Sequence, residues 1–155
     1  MEAYLDNSAT TRVDAQVQEL MKKLMDVDFG NPSSRHQKGV VAEGYIKEAR
    51  QKIAATLKVD PKELIITSGG TESNNMALIG TALAAKRKGN HIITTAVEHP
   101  SVKATASFLE EKGFRITFLS VDSRGQISLE ELKEALTPDN ILVTIIYVHS
   151  EIGKL

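Results

Sequence analysis

The chain has 155 residues, 41% hydrophobic and 25% charged, with a formal net charge of -1. This composition suits one layered globular domain and leaves no basic face for collecting nucleic acid. No cysteine is present, which excludes disulfides, thiolate metal sites and a cysteine nucleophile within these residues.

Residues 1–13 read as an N-terminal arm in which "YLDNSATT" is a capped turn, and residues 14–155 as the layered body. The start has neither the basic nor the apolar part of a signal peptide, and no apolar run could span a bilayer, so a cytoplasmic location without membrane partners is expected. "DAQVQELMKKLMDV" places Val17, Leu20, Met21, Leu24 and Met25 on one stripe, which predicts an amphipathic helix with Asp14 as N-cap. Gly30 and Pro32 in "FGNPSSRHQKG" mark a loop, and Ser33 or Ser34 is placed to cap a long helix reaching about Leu57.

"ELIIT", residues 63–67, predicts a short buried strand. "SGGTESNN" then opens a helix whose body runs from Asn75 to about Lys88. "HIITTA" predicts the next strand, "SVKATASFLEEKG" a helix, and "FRITFLSVD" a strand in which Phe114, Ile116 and Phe118 alternate with polar residues. Ser128 with Glu131 predicts a capping box, and the β-branched run "ILVTIIYV" a strand buried on both faces. The alternation implies an α/β fold: a mostly parallel sheet with helices on its faces, three layers deep. "YVHSEIGKL" leaves the last strand before any helix returns to cover it, so a truncated domain is expected.

In open α/β sheets ligands gather at the carboxyl ends of strands, where helix N-termini offer unpaired N–H groups. "TSGGTES" has that position. Gly69 and Gly70 allow successive N–H groups to converge on one anion, and Thr71 and Ser73 add hydroxyls. A plain capped turn is the competing reading. The adjacent glycines fit neither a P-loop nor a dinucleotide fingerprint. His99 follows the next strand and precedes the next helix, on the same edge, where an imidazole can stack on a ring or handle a proton. His36, His91 and His149 are scattered without ligand spacing, so no metal site is expected.

Taken together, "YLDNSATT", "FGNPSSRH", "TSGGTESNN", "VEHPSV" and "SEIG" resemble the cysteine desulfurases. These form part of the class V branch of the fold-type I enzymes that use pyridoxal 5′-phosphate (PLP). The motifs occur in family order over essentially the whole chain, which corresponds to the N-terminal part of a PLP-binding large domain. The resemblance implies that Gly70 and Thr71 hold the cofactor phosphate and that His99 stacks on the pyridine ring and serves catalysis. It places Asn7 and Asn31 near the substrate. Where the family reads "NNEIG", this chain has His149 and Ser150, and Ser150 takes the position of a cofactor-binding asparagine.

The implied reaction converts L-cysteine to L-alanine, passing sulfur to an enzyme cysteine and then to a sulfur-acceptor protein, in a homodimer serving iron–sulfur cluster assembly. The family's Schiff-base lysine and catalytic cysteine fall outside these motifs, and Lys154 is not in the lysine motif. The 155-residue chain alone is therefore expected to be inactive. A selenocysteine lyase, a cysteine sulfinate desulfinase, a non-catalytic phosphate- or nucleotide-binding module and a dimerisation fragment are the alternative readings.

Overall fold

The computed structural model describes residues 3–151 and Gly153, so Ile152 of the "SEIG" motif and Lys154 lie outside the described residues. The chain forms two compact units, Met1–Ile66 and Thr67–Leu155.

In the first unit, helix α1 (Ala15–Asp26) starts as expected: the Asp14 carboxylate accepts the Gln16 N–H at 2.8 Å. Its apolar stripe is nevertheless exposed, Met25 by 69%. Helix α2 (Gln37–Leu57) begins later than Ser33 or Ser34 would set it, with His36 at the N-cap and no side-chain cap bond. The serines are drawn into the preceding loop instead. The Asn31 side-chain oxygen accepts the Ser33 N–H and its carbonyl the Ser34 N–H. This turn folds so tightly onto α2 that a Cβ at Gly39 would lie 2.1 Å from the Ser34 carbonyl oxygen. Only glycine fits there without moving backbone.

The end of α1 is tied to α2 through Tyr45, whose hydroxyl donates to Asp28 at 2.7 Å and receives from Lys23 at 2.8 Å. That hydroxyl, first, and the Lys23 ammonium hold the Asp28 carboxyl below its ordinary range. The expected strand at 63–67 does not form. A 3-10 turn (Pro61–Glu63), closed by reciprocal bonds between Asp60 and Glu63, precedes extended residues that pair with no described strand. Ile65 and Ile66 stay 69% and 59% exposed. Apolar β-branched residues favour extended backbone, but a strand needs a neighbour to take its N–H and C=O groups.

In the second unit, helix α3 (Gly70–Ala85) leads to strand β1 (His91–Thr95), helix α4 (Pro100–Glu111), strand β2 (Arg115–Leu119), helix α5 (Leu129–Ala135) and strand β3 (Asn140–Val143). The sheet order is β2-β1-β3, and both pairings are parallel, as the strand–helix alternation predicts. The expected parallel sheet flanked by helices is therefore present. Its core joins Leu78 and Ala82 of α3, Ile92 of β1, Val102 and Leu109 of α4, and Phe114.

Burial follows strand position rather than composition. Central β1 is buried at all five residues. The β-branched run at 141–148 is a strand only to Val143, on the sheet edge, and Tyr147 is 82% exposed. The last pair with β1 is Ile93 and Val143; the Thr144 N–H still reaches the Ile93 carbonyl at 2.9 Å, and the Ile146 N–H then turns to the Glu98 carboxylate instead of a strand. In β2 the expected alternation fails at Phe118, 41% exposed, while Leu119 is fully buried. The capping box at Ser128 is half formed. Ser128 Oγ accepts the Glu131 N–H, but the Glu131 carboxylate turns to the N–H and hydroxyl of Ser120.

His91 is 1% exposed and opens β1. Its Nδ1 lies 2.9 Å from the Asn140 amide nitrogen and its Nε2 2.8 Å from Thr117 Oγ1. An amide NH2 can only donate, so Nδ1 accepts and Nε2 carries the proton. Burial, and next the Arg115 cation, push the imidazole below its ordinary value of 6.5. As pH falls below about 6.5 the unfolded chain protonates this ring before the folded chain does, so stability is lost with acid. The expected result is a urea midpoint that declines as pH falls below about 6.5, with a shallower decline in His91→Gln. Equal slopes for the two proteins would remove His91 as the cause.

Candidate functional site

Residues at the carboxyl end of β1 and at the start of α3 converge in the second unit. Gly69 is the N-cap of α3 and supplies no side-chain cap. Among the described residues, no acceptor meets the N–H groups of Gly70 and Thr71 or the Thr71 hydroxyl. The groups that could have capped this end are engaged elsewhere. Glu72 turns its carboxylate to the Ser68 N–H and hydroxyl, both at 2.7 Å, and these bonds hold it below its ordinary range. The Thr67 and Ser73 hydroxyls pair with each other at 2.6 Å.

Gly69 is extended, with φ 163°, and neither glycine adopts a left-handed conformation. A Cβ at Gly69 or Gly70 would meet nothing within 4 Å. Their value is therefore access: a ligand can approach this backbone closely. Free N–H donors, a free hydroxyl, open space and the positive end of a 16-residue helix suit a phosphate.

His99 is the N-cap of α4, with Pro100 at the first helical position. Its Nδ1 accepts the Ser101 N–H at 3.2 Å and lies 2.8 Å from Ser101 Oγ. Ser101 Oγ in turn receives the Asn74 amide at 2.9 Å. One residue on, the Asn75 amide donates to the Thr71 carbonyl and its oxygen accepts from Thr105 of α4. Two asparagine bridges thus join the N-terminal halves of α3 and α4.

Ser150 and His149 line a groove of about 500 Å³ together with Glu98, His99, Lys103 and Glu151. Glu98 holds one wall in place. It is 5% exposed, and its Oε1 accepts the Thr95 hydroxyl at 2.9 Å and the Ile146 N–H at 2.7 Å. The segment after β3 is thereby pinned to the end of β1. Nδ1 of His149 accepts the Glu151 N–H at 3.2 Å.

Gly70, Thr71, His99 and Ser150 all belong to the second unit, and His99 and Ser150 line one groove there. Asn7 and Asn31 belong to the first. Asn7 is exposed in a turn where Asp6 O accepts the N–H groups of Ala9 and Thr10, and Asn31 is exposed in the loop before α2. Sequence reasoning did not single out Asn74, Asn75, Ser101, Thr105 and Glu98. One signal was available: consecutive asparagines inside a helix lack helix propensity and compete for backbone bonds, so a tertiary role is the economical explanation. Among the described residues no helix is long and apolar enough to cross a membrane, and no side-chain cluster could hold a metal ion.

The model of the aminotransferase class-V family matches residues 3–155. A cysteine desulfurase IscS from Dictyoglomus turgidum is 48% identical over 154 residues, which are 99% of this chain and 39% of that protein. A putative cysteine desulfurase IscS 1 from Bacillus subtilis is also 48% identical, over 98% of this chain and 40% of its own length. The solved structure of a NifS-like protein superposes with a TM-score of 0.93 at 41% identity, covering 97% of this chain and 42% of that one. The structure described as SspA in complex with cysteine gives a TM-score of 0.86 at 40% identity, over 93% and 42% of the respective chains. The chain spans about two fifths of the length of the curated relatives it matches. Family match, fold and motif order agree: this chain belongs to the class-V aminotransferases.

Proposed function

We propose that these residues form part of the cofactor-binding large domain of a PLP-dependent cysteine desulfurase. The reaction assigned is release of sulfur from L-cysteine with formation of L-alanine. One observation carries the reading: the uncapped N-terminus of α3, with free Gly70 and Thr71 N–H groups, lies on the helix bridged to His99. The names of the relatives support the same assignment.

In this reading Gly70, Thr71 and the Thr71 hydroxyl hold the phosphate, and the α3 dipole adds favourable potential. His99 packs its ring on the cofactor, and Ser150 offers a hydroxyl to the same molecule. Asn7 and Asn31 serve the substrate. When bound, PLP supplies an electron sink for bond cleavage at an amino acid. The thiolate that accepts sulfur comes from outside these residues, because they contain no cysteine. The whole enzyme is assigned as a cytoplasmic homodimer that delivers sulfur to an acceptor protein, with residues 1–13 as an arm to the domain.

The test uses pyridoxine 5′-phosphate, which lacks the aldehyde and cannot form adducts with exposed lysines. Amide NMR of the 155-residue chain should show saturable shifts at Gly70 and Thr71, and inorganic phosphate should move the same signals. Thr71→Ala should weaken binding about ten-fold, the loss of one hydrogen bond to a charged group. Unmoved Gly70 and Thr71 signals, or equal affinity in the variant, would overturn the assignment.

A further inference from the structure

The groups around His99 Nδ1 make a directional chain of donors. The Ser101 N–H points at Nδ1, so Nδ1 is an acceptor and the proton of the neutral ring sits on Nε2. The Asn74 amide donates to a lone pair of Ser101 Oγ. The single hydroxyl proton of Ser101 is then left to point at Nδ1, 2.8 Å away. Each member of the chain is placed by something else. Ser101 is 8% exposed, and Asn74 is half-buried on α3.

We propose that Asn74 and Ser101 are positioning residues that hold His99 as the Nε2–H tautomer, with Nε2 the ring nitrogen that no described residue meets. Resting on the assignment above, this deepens it: His99 meets a bound molecule through Nε2–H, and any proton it exchanges leaves or arrives at that atom. Turning the exposed ring over would break its bonds to the Ser101 N–H and hydroxyl, on a residue that is itself 8% exposed. Because Asn74 lies on the helix whose N-terminus forms the candidate anion site, the same contact couples the angle of His99 to the position of that helix.

This chain of donors makes opposite demands on two small changes. Ser101→Thr keeps the hydroxyl. Asn74→Asp replaces a donor by an acceptor, so the Ser101 proton turns toward the new carboxylate and Nδ1 keeps only the backbone N–H. The experiment is long-range 1H–15N NMR of the imidazole nitrogens of the 155-residue chain, at a pH where His99 is neutral.

The unsubstituted chain and Ser101→Thr should both show Nε2–H as the dominant form. Asn74→Asp and Ser101→Ala should each shift the tautomer ratio about five-fold toward Nδ1–H, the effect of removing one neutral hydrogen bond. Thermal melts report folding separately, and a merely structural contact would lower the melting point without moving this ratio. An Nδ1–H or evenly mixed ring in the unsubstituted chain, or variants with an unchanged ratio, would overturn the proposal. The pyridoxine 5′-phosphate titration remains an independent measure. If Gly70 and Thr71 fail to respond while the tautomer behaves as stated, the cofactor assignment falls and the positioning role stands.

Discussion

Replacement of Gly89 by alanine should destabilise the second unit by about 2–4 kcal/mol, through overpacking plus a weakened ladder bond. A Cβ at this position would lie 2.1 Å from the Asp139 carbonyl oxygen and 2.7 Å from its carbon, so backbone would have to move. The same carbonyl accepts the His91 N–H at 3.1 Å, where β3 approaches the start of β1. Asp139 also pairs with Arg115 at 3.0 Å, so the shift reaches β2. Urea denaturation measures the loss, and amide exchange at His91 should accelerate with it. Gly80→Ala is the control, because a Cβ inside α3 meets nothing within 4 Å. It should be neutral or stabilising by up to about 1 kcal/mol. A Gly89→Ala protein within about 0.5 kcal/mol of the parent would show that the approach of Asp139 relaxes without cost.

The second large effect is expected from Glu98→Ala, at about 2–3 kcal/mol for stranding one buried and one half-buried donor. Thr95 Oγ1 and the Ile146 N–H both rely on Glu98 Oε1, and Thr95 is 1% exposed. Removal should do more than lower stability. The Ile146 amide should exchange faster, and the wall of the groove that carries His149 and Ser150 should loosen from the end of β1. Glu98→Gln keeps an acceptor and should recover roughly half of the loss. Normal exchange at Ile146 in Glu98→Ala would show that something else holds this segment. The result also bears on the candidate site, because Ser150 reaches the groove of His99 only through a segment without regular structure.

These two substitutions separate what a local reading of the chain can supply from what it cannot. Asp14 as the cap of α1, the helix opening inside "SGGTESNN", the parallel alternation and the loop position of His99 were all legible in the sequence. Each rests on near neighbours: a carboxylate two residues before an N–H, a change of hydrophobic period, or a histidine and proline at a strand-to-helix junction. The candidate anion site was legible for the same reason, because a helix N-terminus and its donors are consecutive residues. Family motifs gave the order of the loops, and loops of that kind are short.

Sequence alone was less informative wherever a partner distant along the chain decides the outcome. "ELIIT" and "ILVTIIYV" have strand composition, but pairing requires a neighbour, and only residues 141–143 of the second region lie in a strand. Ser34 was a reasonable cap until the Asn31 turn claimed it, and Glu131 completed no box because Ser120 offered two donors. The contacts around the candidate site have the same character. Asn74 meets Ser101 across 27 residues and Glu98 meets Ile146 across 48. Propensity and spacing report the conformation a residue prefers and the face it occupies. Which donor finds which acceptor, and hence how the α3 N-terminus, His99 and Ser150 are held, is set only when helices and strands pack and every buried polar group must be paired.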